Sequence, residues 1–355
     1  MKAKLLTIIS AILLGQACSH EAQKKSSVTP SEVTSADDRA RKDYETKWGK
    51  NRSDESIKGA FEVRQGMLHF RDGDAFVRTL DSMAKLSVAD RIRFAEKAGF
   101  ESLLMKFQDF NARIGEAARK KDKKRYDDLV KEFGGMVSTD AEAGFRYSNS
   151  DLRIAALLNE ENLVYVGKML YYFDDEEQRI ILDGDKNKRN EVSDVVERYK
   201  RKSNHKNGRR SACHYGIVKY QVDGNVRIRL EVFASTYRVK IGENLYNLYV
   251  TPYAKGVAQQ KGPFGWFSYR TRQTLSSQFT LTFTIPKNPP LISYFPPCNF
   301  TYSNNWEGID FTGTQQVFFN LTDYQTKYWV SYFNFSGNGF YQNNDIPTLR
   351  LSMDC

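Results

Sequence analysis

The sequence predicts an α+β N-terminal domain, helices plus a small antiparallel sheet, followed by an all-β antiparallel sandwich. Three observations predict it. Apolar residues recur at three- and four-residue steps between 75 and 133, they alternate with polar ones at period two between 226 and 285, and a cation-rich stretch at 186–210 separates the two regimes. A chain of 355 residues is long enough for two cores, and its 40% hydrophobic content excludes a wholly disordered chain. Its four Cys are too few for a disulfide-built miniprotein.

Ahead of the first domain, Lys2 and Lys4 precede an uncharged, mostly apolar run from Leu5 to Leu14, and Gly15-Gln16-Ala17 supplies small residues before Cys18. A spanning helix needs about 20 apolar residues, so residues 1–17 are expected to be an export signal. No later run approaches that length, and the mature chain is expected to have no transmembrane helix. Cys18 resembles the lipobox cysteine of bacterial lipoproteins, which is diacylated (a palmitate-type anchor) and becomes the new N-terminus. The departure is Gly15, where such boxes favour Leu, with Leu14 one residue further back. The resemblance implies a cell-envelope lipoprotein at the outer membrane, and the competing reading is a secreted or periplasmic protein cleaved after Ala17. Residues 18–58 are rich in Ser, Thr, Lys, Glu and Asp with almost no aliphatic periodicity, which reads as a lipidated Cys and a disordered tether.

Residues 59–185 carry the α+β pattern. Gly66-Met67-Leu68-His69-Phe70 reads as a strand and Asp72-Gly73-Asp74 as a turn. Phe76, Leu80 and Met83 share one helical face, and Ser87-Val88-Ala89-Asp90 has the form of a capping box for a helix ending at Gly99. Leu103, Leu104, Phe107, Phe110, Ile114 and Ala117 continue the helical period, and after the charged break at 119–125 Tyr126, Leu129, Val130 and Phe133 resume it. That break is expected to be the turn between antiparallel helices. A short helix at 152–158 and three strands at 163–166, 169–173 and 180–182 follow, the first two joined by a turn at Gly167-Lys168.

The order Gly66-x-Leu68-x-Phe70, Phe76, Gly99-Phe100-Glu101-Ser102-Leu103, Leu157-Leu158-Asn159, Val164-x-Val166-Gly167 and Tyr171-Tyr172-Phe173 resembles an uncharacterised family of Bacteroidetes lipoproteins, a domain of unknown function. The resemblance covers mainly residues 61–185. It implies cell-envelope location and an all-β continuation, and it brings no catalytic residues.

Between 186 and 211 ten Lys/Arg face three acidic residues. An interdomain connector, a patch for anionic glycan or lipid headgroups, and a nucleic-acid arm all fit such a run, and export argues against nucleic acid. Asp183-Gly-Asp185-Lys-Asn187 starts like a calcium loop. The pattern then fails, with Lys188 where the sharp turn requires Gly and Asp194 where a bidentate Glu belongs, so no metal is expected.

Residues 212–355 show about nine strand runs and no helical one. Val226, Ile228, Leu230 and Val232 alternate with Arg227, Arg229 and Glu231, and Phe279, Leu281, Phe283 and Ile285 alternate with Thr. Each strand is expected to have one buried and one wet face, in two stacked sheets. Residues 215–355 hold 29 aromatics, more than one sandwich core needs, so Phe264, Trp266, Phe267, Tyr269 and Trp306 are candidates for a ligand-facing surface. The alternative for each ring is cross-strand pairing within the sheets. Lys200, Arg201 and Lys202 are the candidate cations beside them. Of the remaining Cys, Cys298 and Cys355 are candidate disulfide partners, leaving Cys213 unpaired. The neighbouring Cys213-His214 pair has no second ligand pair, and no catalytic residue or cofactor is expected.

Three classes of function fit these features. One is a noncatalytic envelope lipoprotein binding a glycan, anionic polysaccharide or lipopolysaccharide included, or a surface partner. Another is a structural component of an envelope complex. The third is a hydrolase with unassigned carboxylates. The expected partners are the membrane, through the lipid anchor, a polysaccharide, and an envelope protein, with no nucleic acid.

Overall fold

A two-residue turn lies near the start of the described residues: Gln65 and Gly66 take φ of 51° and 72°, joining β1 (Phe61–Arg64) to β2 (Met67–Phe70) as a hairpin. In the computed structural model the described residues are 59–84, 86–140, 144–200, 217–240, 245–269, 271–284, 298–310, 312–316, 319–324, 332–343 and 349–353.

Four helices follow β2. Asp72 accepts the Ala75 N–H at 2.7 Å and starts α1 (Gly73–Ala84), which buries Phe76, Leu80 and Met83. The expected capping box starts α2 (Val88–Lys97), where Ser87 Oγ accepts the Asp90 N–H and donates to the Asp90 carboxylate at 2.6 Å. Asp is one methylene too short to return to the cap N–H, so it takes the cap hydroxyl instead. Ser102 caps α3 (Leu103–Arg119) and Asp122 caps α4 (Lys123–Glu132). Lys121, at φ 57°, makes the turn between them, and the chain returns far enough for Arg113 to reach Glu132 at 2.7 Å.

No strand is expected at 137–147, yet β3 (Val137–Asp140) and β4 (Gly144–Tyr147) form a separate hairpin. The helix expected at 152–158 is a single turn, α5 (Leu152–Ala155). Then β5 (Leu163–Val166), β6 (Met169–Phe173) and β7 (Glu177–Ile181) run as a meander.

The first sheet does not stop at residue 185. A short 3-10 helix (Lys186–Asn190) leads into β8 (Val196–Lys200), which pairs with β7 and completes the order β1-β2-β5-β6-β7-β8. The connector expected at 186–211 is therefore folded structure over its first fifteen residues, and 201–211 lie outside the described residues. All pairs in this sheet are antiparallel except β2 with β5, across which the helices make the crossover. Leu68, Phe70, Val164, Val166, Tyr171, Phe173 and Ile180 on its inner face are buried, and Phe76 of α1 sits between Phe70 and Phe173.

Antiparallel strands make up the rest. β9 (Ile217–Asp223), β10 (Val226–Lys240), β11 (Leu245–Gly262) and β12 (Gly265–Ser268) give a second sheet of order β12-β11-β10-β9, with β15 (Thr312–Gln316) and β16 (Phe319–Tyr324) also on β11. The third sheet has the order β14-β13-β17-β18, from β13 (Thr271–Thr284), β14 (Cys298–Asp310), β17 (Tyr332–Asn343) and β18 (Leu349–Met353). β10 lies against β17 and β18, and no sheet closes into a barrel among the described residues. Gly59–Cys355 forms one compact unit.

Candidate functional site

The charged face of β10 is not wet. Arg227 and Arg229 are as buried as most core residues, and so are Lys255 and Gln259 across from them on β11. The expectation of a solvated face fails because the helical part covers it: α3 and β4 lie against β12, and α1 against β10.

Burying cations requires partners, and neighbours along β10 and across to β11 supply them. Arg229 Nε stands 2.6 Å from Glu231 Oε1, and the Lys255 ammonium 3.9 Å from the other Glu231 oxygen. Arg227 Nε donates to Gln259 Oε1 at 2.8 Å, while its guanidinium sits 4.3 Å from the Trp266 ring centroid and 4.8 Å from that of Tyr220. Lys255 lies 5.4 Å from the Tyr147 ring, whose hydroxyl donates to Asn111 on α3 at 2.7 Å.

The aromatic segment at 264–269 belongs to the same seam. Phe267, a candidate ligand contact, is 2% exposed. A β-carbon on Gly115 of α3 would stand 3.3 Å from its ring, and one on Gly262 of β11 2.9 Å from it. Only backbone lines the ring at these points, which is why it can enter, and Phe267 packs into the seam. Phe264 lies 5.1 Å from Tyr126 and 5.8 Å from the Lys123 ammonium, both on α4. Trp266 and Tyr269 are half-buried, as is Tyr220.

The other candidates are dispersed. Lys200 ends β8 opposite Glu177, on the edge of the first sheet, whereas Trp266 is on β12, the edge of the second. Trp306 lies on β14 opposite Leu275, and Cys298 opens the same strand opposite Phe283. Cys18, Arg201, Lys202, Cys213 and Cys355 lie outside the described residues. In the calcium-like loop the Lys188 ammonium sits 2.5 Å from Asp183, and no metal-holding group of three His, Cys, Asp or Glu occurs among the described residues.

A second polar cluster, unanticipated from sequence, joins the first sheet to β10. Among the described residues β9 pairs with β10 as far as Val232, and beyond it that edge of β10 takes side-chain partners. The Gln178 amide supplies them, donating to the Arg238 carbonyl at 2.5 Å and accepting the Arg238 N–H at 2.7 Å. The Tyr171 hydroxyl accepts the Lys240 N–H at 3.0 Å. Glu197 on β8 accepts from Lys240 Nζ at 2.9 Å, Tyr246 at 2.5 Å and Tyr199 at 2.8 Å. Burial pushes the Tyr199 and Tyr246 hydroxyls up, and the Glu197 carboxylate adds to the push. Burial pulls the Lys240 ammonium down, but Tyr246 and Glu197 outweigh it and hold the group above its ordinary value. The only sequence signal for this cluster was a Glu-x-Tyr step in a run read as a connector.

No family model matches the chain, and no curated protein does. Among solved structures it is similar to a DUF4848 family protein from Bacteroides thetaiotaomicron, at 15% identity and a TM-score of 0.29, over 82% of this chain and 100% of that one. No described helix is long and apolar enough to cross a membrane.

Proposed function

We propose that the chain is an exported, noncatalytic envelope lipoprotein of an uncharacterised Bacteroidetes family, anchored through Cys18, that binds an anionic glycan at the β9–β12 end of its second sheet. The observation that carries this reading is the clamp of Arg227 between the rings of Tyr220 and Trp266. Both rings are half-exposed and neither is free to rotate without breaking the stack, so a sugar ring finds a flat apolar face with little side-chain entropy left to lose. The noncatalytic part is supported by the carboxylates at the seam and junction: Glu231 is engaged by Arg229 and Lys255, and Glu197 by Lys240 and two tyrosines.

Affinity electrophoresis in gels cast with acidic or neutral polysaccharide tests it. Trp266→Ala should weaken binding to the acidic polymer at every salt concentration, and neutralising Lys200, Arg201 and Lys202 together should mainly remove its salt dependence. In fractionated cells Cys18→Ala should leave the membrane fraction or stall in processing. Absence of glycan binding, or indifference to both sets of changes, would overturn the glycan reading and leave a role in envelope assembly.

A further inference from the structure

The outer face of the first sheet carries its own apolar cluster: Met67, Leu163, Leu170, Ile181 and Val196, all buried, with Tyr165, Tyr172 and Val195 packed against them. No helix covers it. What lies over it is the loop between β7 and β8, residues 183–195. Gly184, at φ 72°, is so close to the β5–β6 turn that a β-carbon there would stand 2.5 Å from the Lys168 carbonyl oxygen, and its own carbonyl accepts from the Tyr165 hydroxyl at 2.8 Å. Arg189 lies 5.5 Å from the Tyr172 ring. The segment thus crosses β7, β6 and β5 and returns.

Its composition is wrong for a permanent cover. None of the residues in its 3-10 helix is buried, and Val192 stands 94% exposed instead of joining the cluster. A side chain holds the loop down at each described polar attachment. Lys186 reaches Glu161 at 2.7 Å and Arg189 the same carboxylate at 3.9 Å, Arg179 donates to the Arg189 carbonyl and Asn190, and Arg198 donates to the Asn190 and Glu191 carbonyls. Among the described backbone hydrogen bonds, those of the loop are internal or at its root, such as Leu182 N–H to the Val195 carbonyl. Exposed ion pairs are weak and screened by salt.

We propose that residues 183–195 are a strap that opens as a unit while the sheet beneath stays folded, uncovering the Met67–Leu163–Leu170–Ile181–Val196 face. The low-stability element of the unit is then the strap, not the β7–β8 pairing that flanks it.

Hydrogen exchange by mass spectrometry on the full chain tests this. Raising salt from about 0.05 to about 0.5 M, which shrinks the screening length about threefold, should speed exchange of the 184–195 amides several-fold and leave β10 amides unchanged. Gly184→Ala, which drives a β-carbon into the Lys168 carbonyl, should speed the same amides at least about tenfold and raise binding of the dye ANS to the newly open apolar face. If that variant does not fold, Glu161→Gln removes the half-buried carboxylate shared by Lys186 and Arg189 and should reproduce the salt effect at low salt. Strap amides that exchange at the rate of β6 and β7 under all these conditions, or that accelerate only together with those strands, would overturn the proposal.

Discussion

Replacing Phe267 by Ala would show whether the seam between α3 and β12 holds the unit together. The ring is 2% exposed and is lined by Gly115 and Gly262, with Ala118 3.3 Å from where a β-carbon on Gly262 would stand. Transfer of a Phe side chain out of water is worth about 1.5–3 kcal/mol, and truncation adds a cavity term that brings Phe→Ala to about 3–5 kcal/mol. The upper half of that range applies here, because glycine and alanine have no side chain to swing into the vacated space. At about 2–4 °C per kcal/mol for a unit of this size, the thermal midpoint should fall by roughly 8–20 °C. A urea titration followed by circular dichroism should show the midpoint concentration falling with an unchanged slope. As a complement, Gly262→Ala should cost about 1–3 kcal/mol by overpacking the same ring. Loss of less than about 0.5 kcal/mol in the Phe267 variant, the usual size of a surface change, would refute the packing argument and return the segment to the solvent.

Gln178→Leu removes the side chain that serves both the N–H and the carbonyl of Arg238, and with about 1–3 kcal/mol for each stranded group it should destabilise by about 2–6 kcal/mol in the same titration. The Glu197 cluster makes the junction alkali-sensitive: Tyr199, Tyr246 and Lys240 all bind their proton more tightly folded than unfolded. Their stabilisation is therefore complete below the unfolded values of about 10 and is lost as pH rises through the higher folded ones. Urea midpoints measured up to about pH 11 should fall with a steeper slope in the parent than in Tyr199→Phe, and equal slopes would contradict the assignment.

Much of the fold was readable from the chain, and the failures have physical causes. Helices α1 to α4 were marked by apolar steps, and α2 also by its Ser87 cap, because a helix writes its buried stripe directly into the residue order. Alternation marked β10 as a strand, but period two separates two faces without saying what covers either, so the Arg227 and Arg229 face was assigned to water and proved to be an internal seam. β8 was hidden for a related reason. Its Arg198 and Lys200 suit an edge strand, where cations deter further pairing, and the same cations made the stretch read as a connector. Gly115 was the signal that went unused for the site: glycine inside an otherwise good helix is costly unless something must approach closely, and here it is Phe267.

The placement of paired charge decides where salt-sensitive binding has to originate. Of the ten Lys and Arg between 186 and 210, those in the strap are neutralised on the spot, Lys186 and Arg189 by Glu161 and Lys188 by Asp183. Residues 201–210 hold five more, Arg201, Lys202, Lys206, Arg209 and Arg210, with no acidic residue among them. A contact pair presents a dipole whose field dies within the screening length of about 8 Å at physiological salt, so an approaching polyanion responds to the second group and not to the first. Neutralising Arg201 and Lys202 should flatten the salt dependence of acidic-polysaccharide binding, and neutralising Lys186 and Lys188 should leave it within error. Equal loss from both pairs of substitutions would mean that the strap's contact pairs open in the complex, and the argument from local neutralisation would fail.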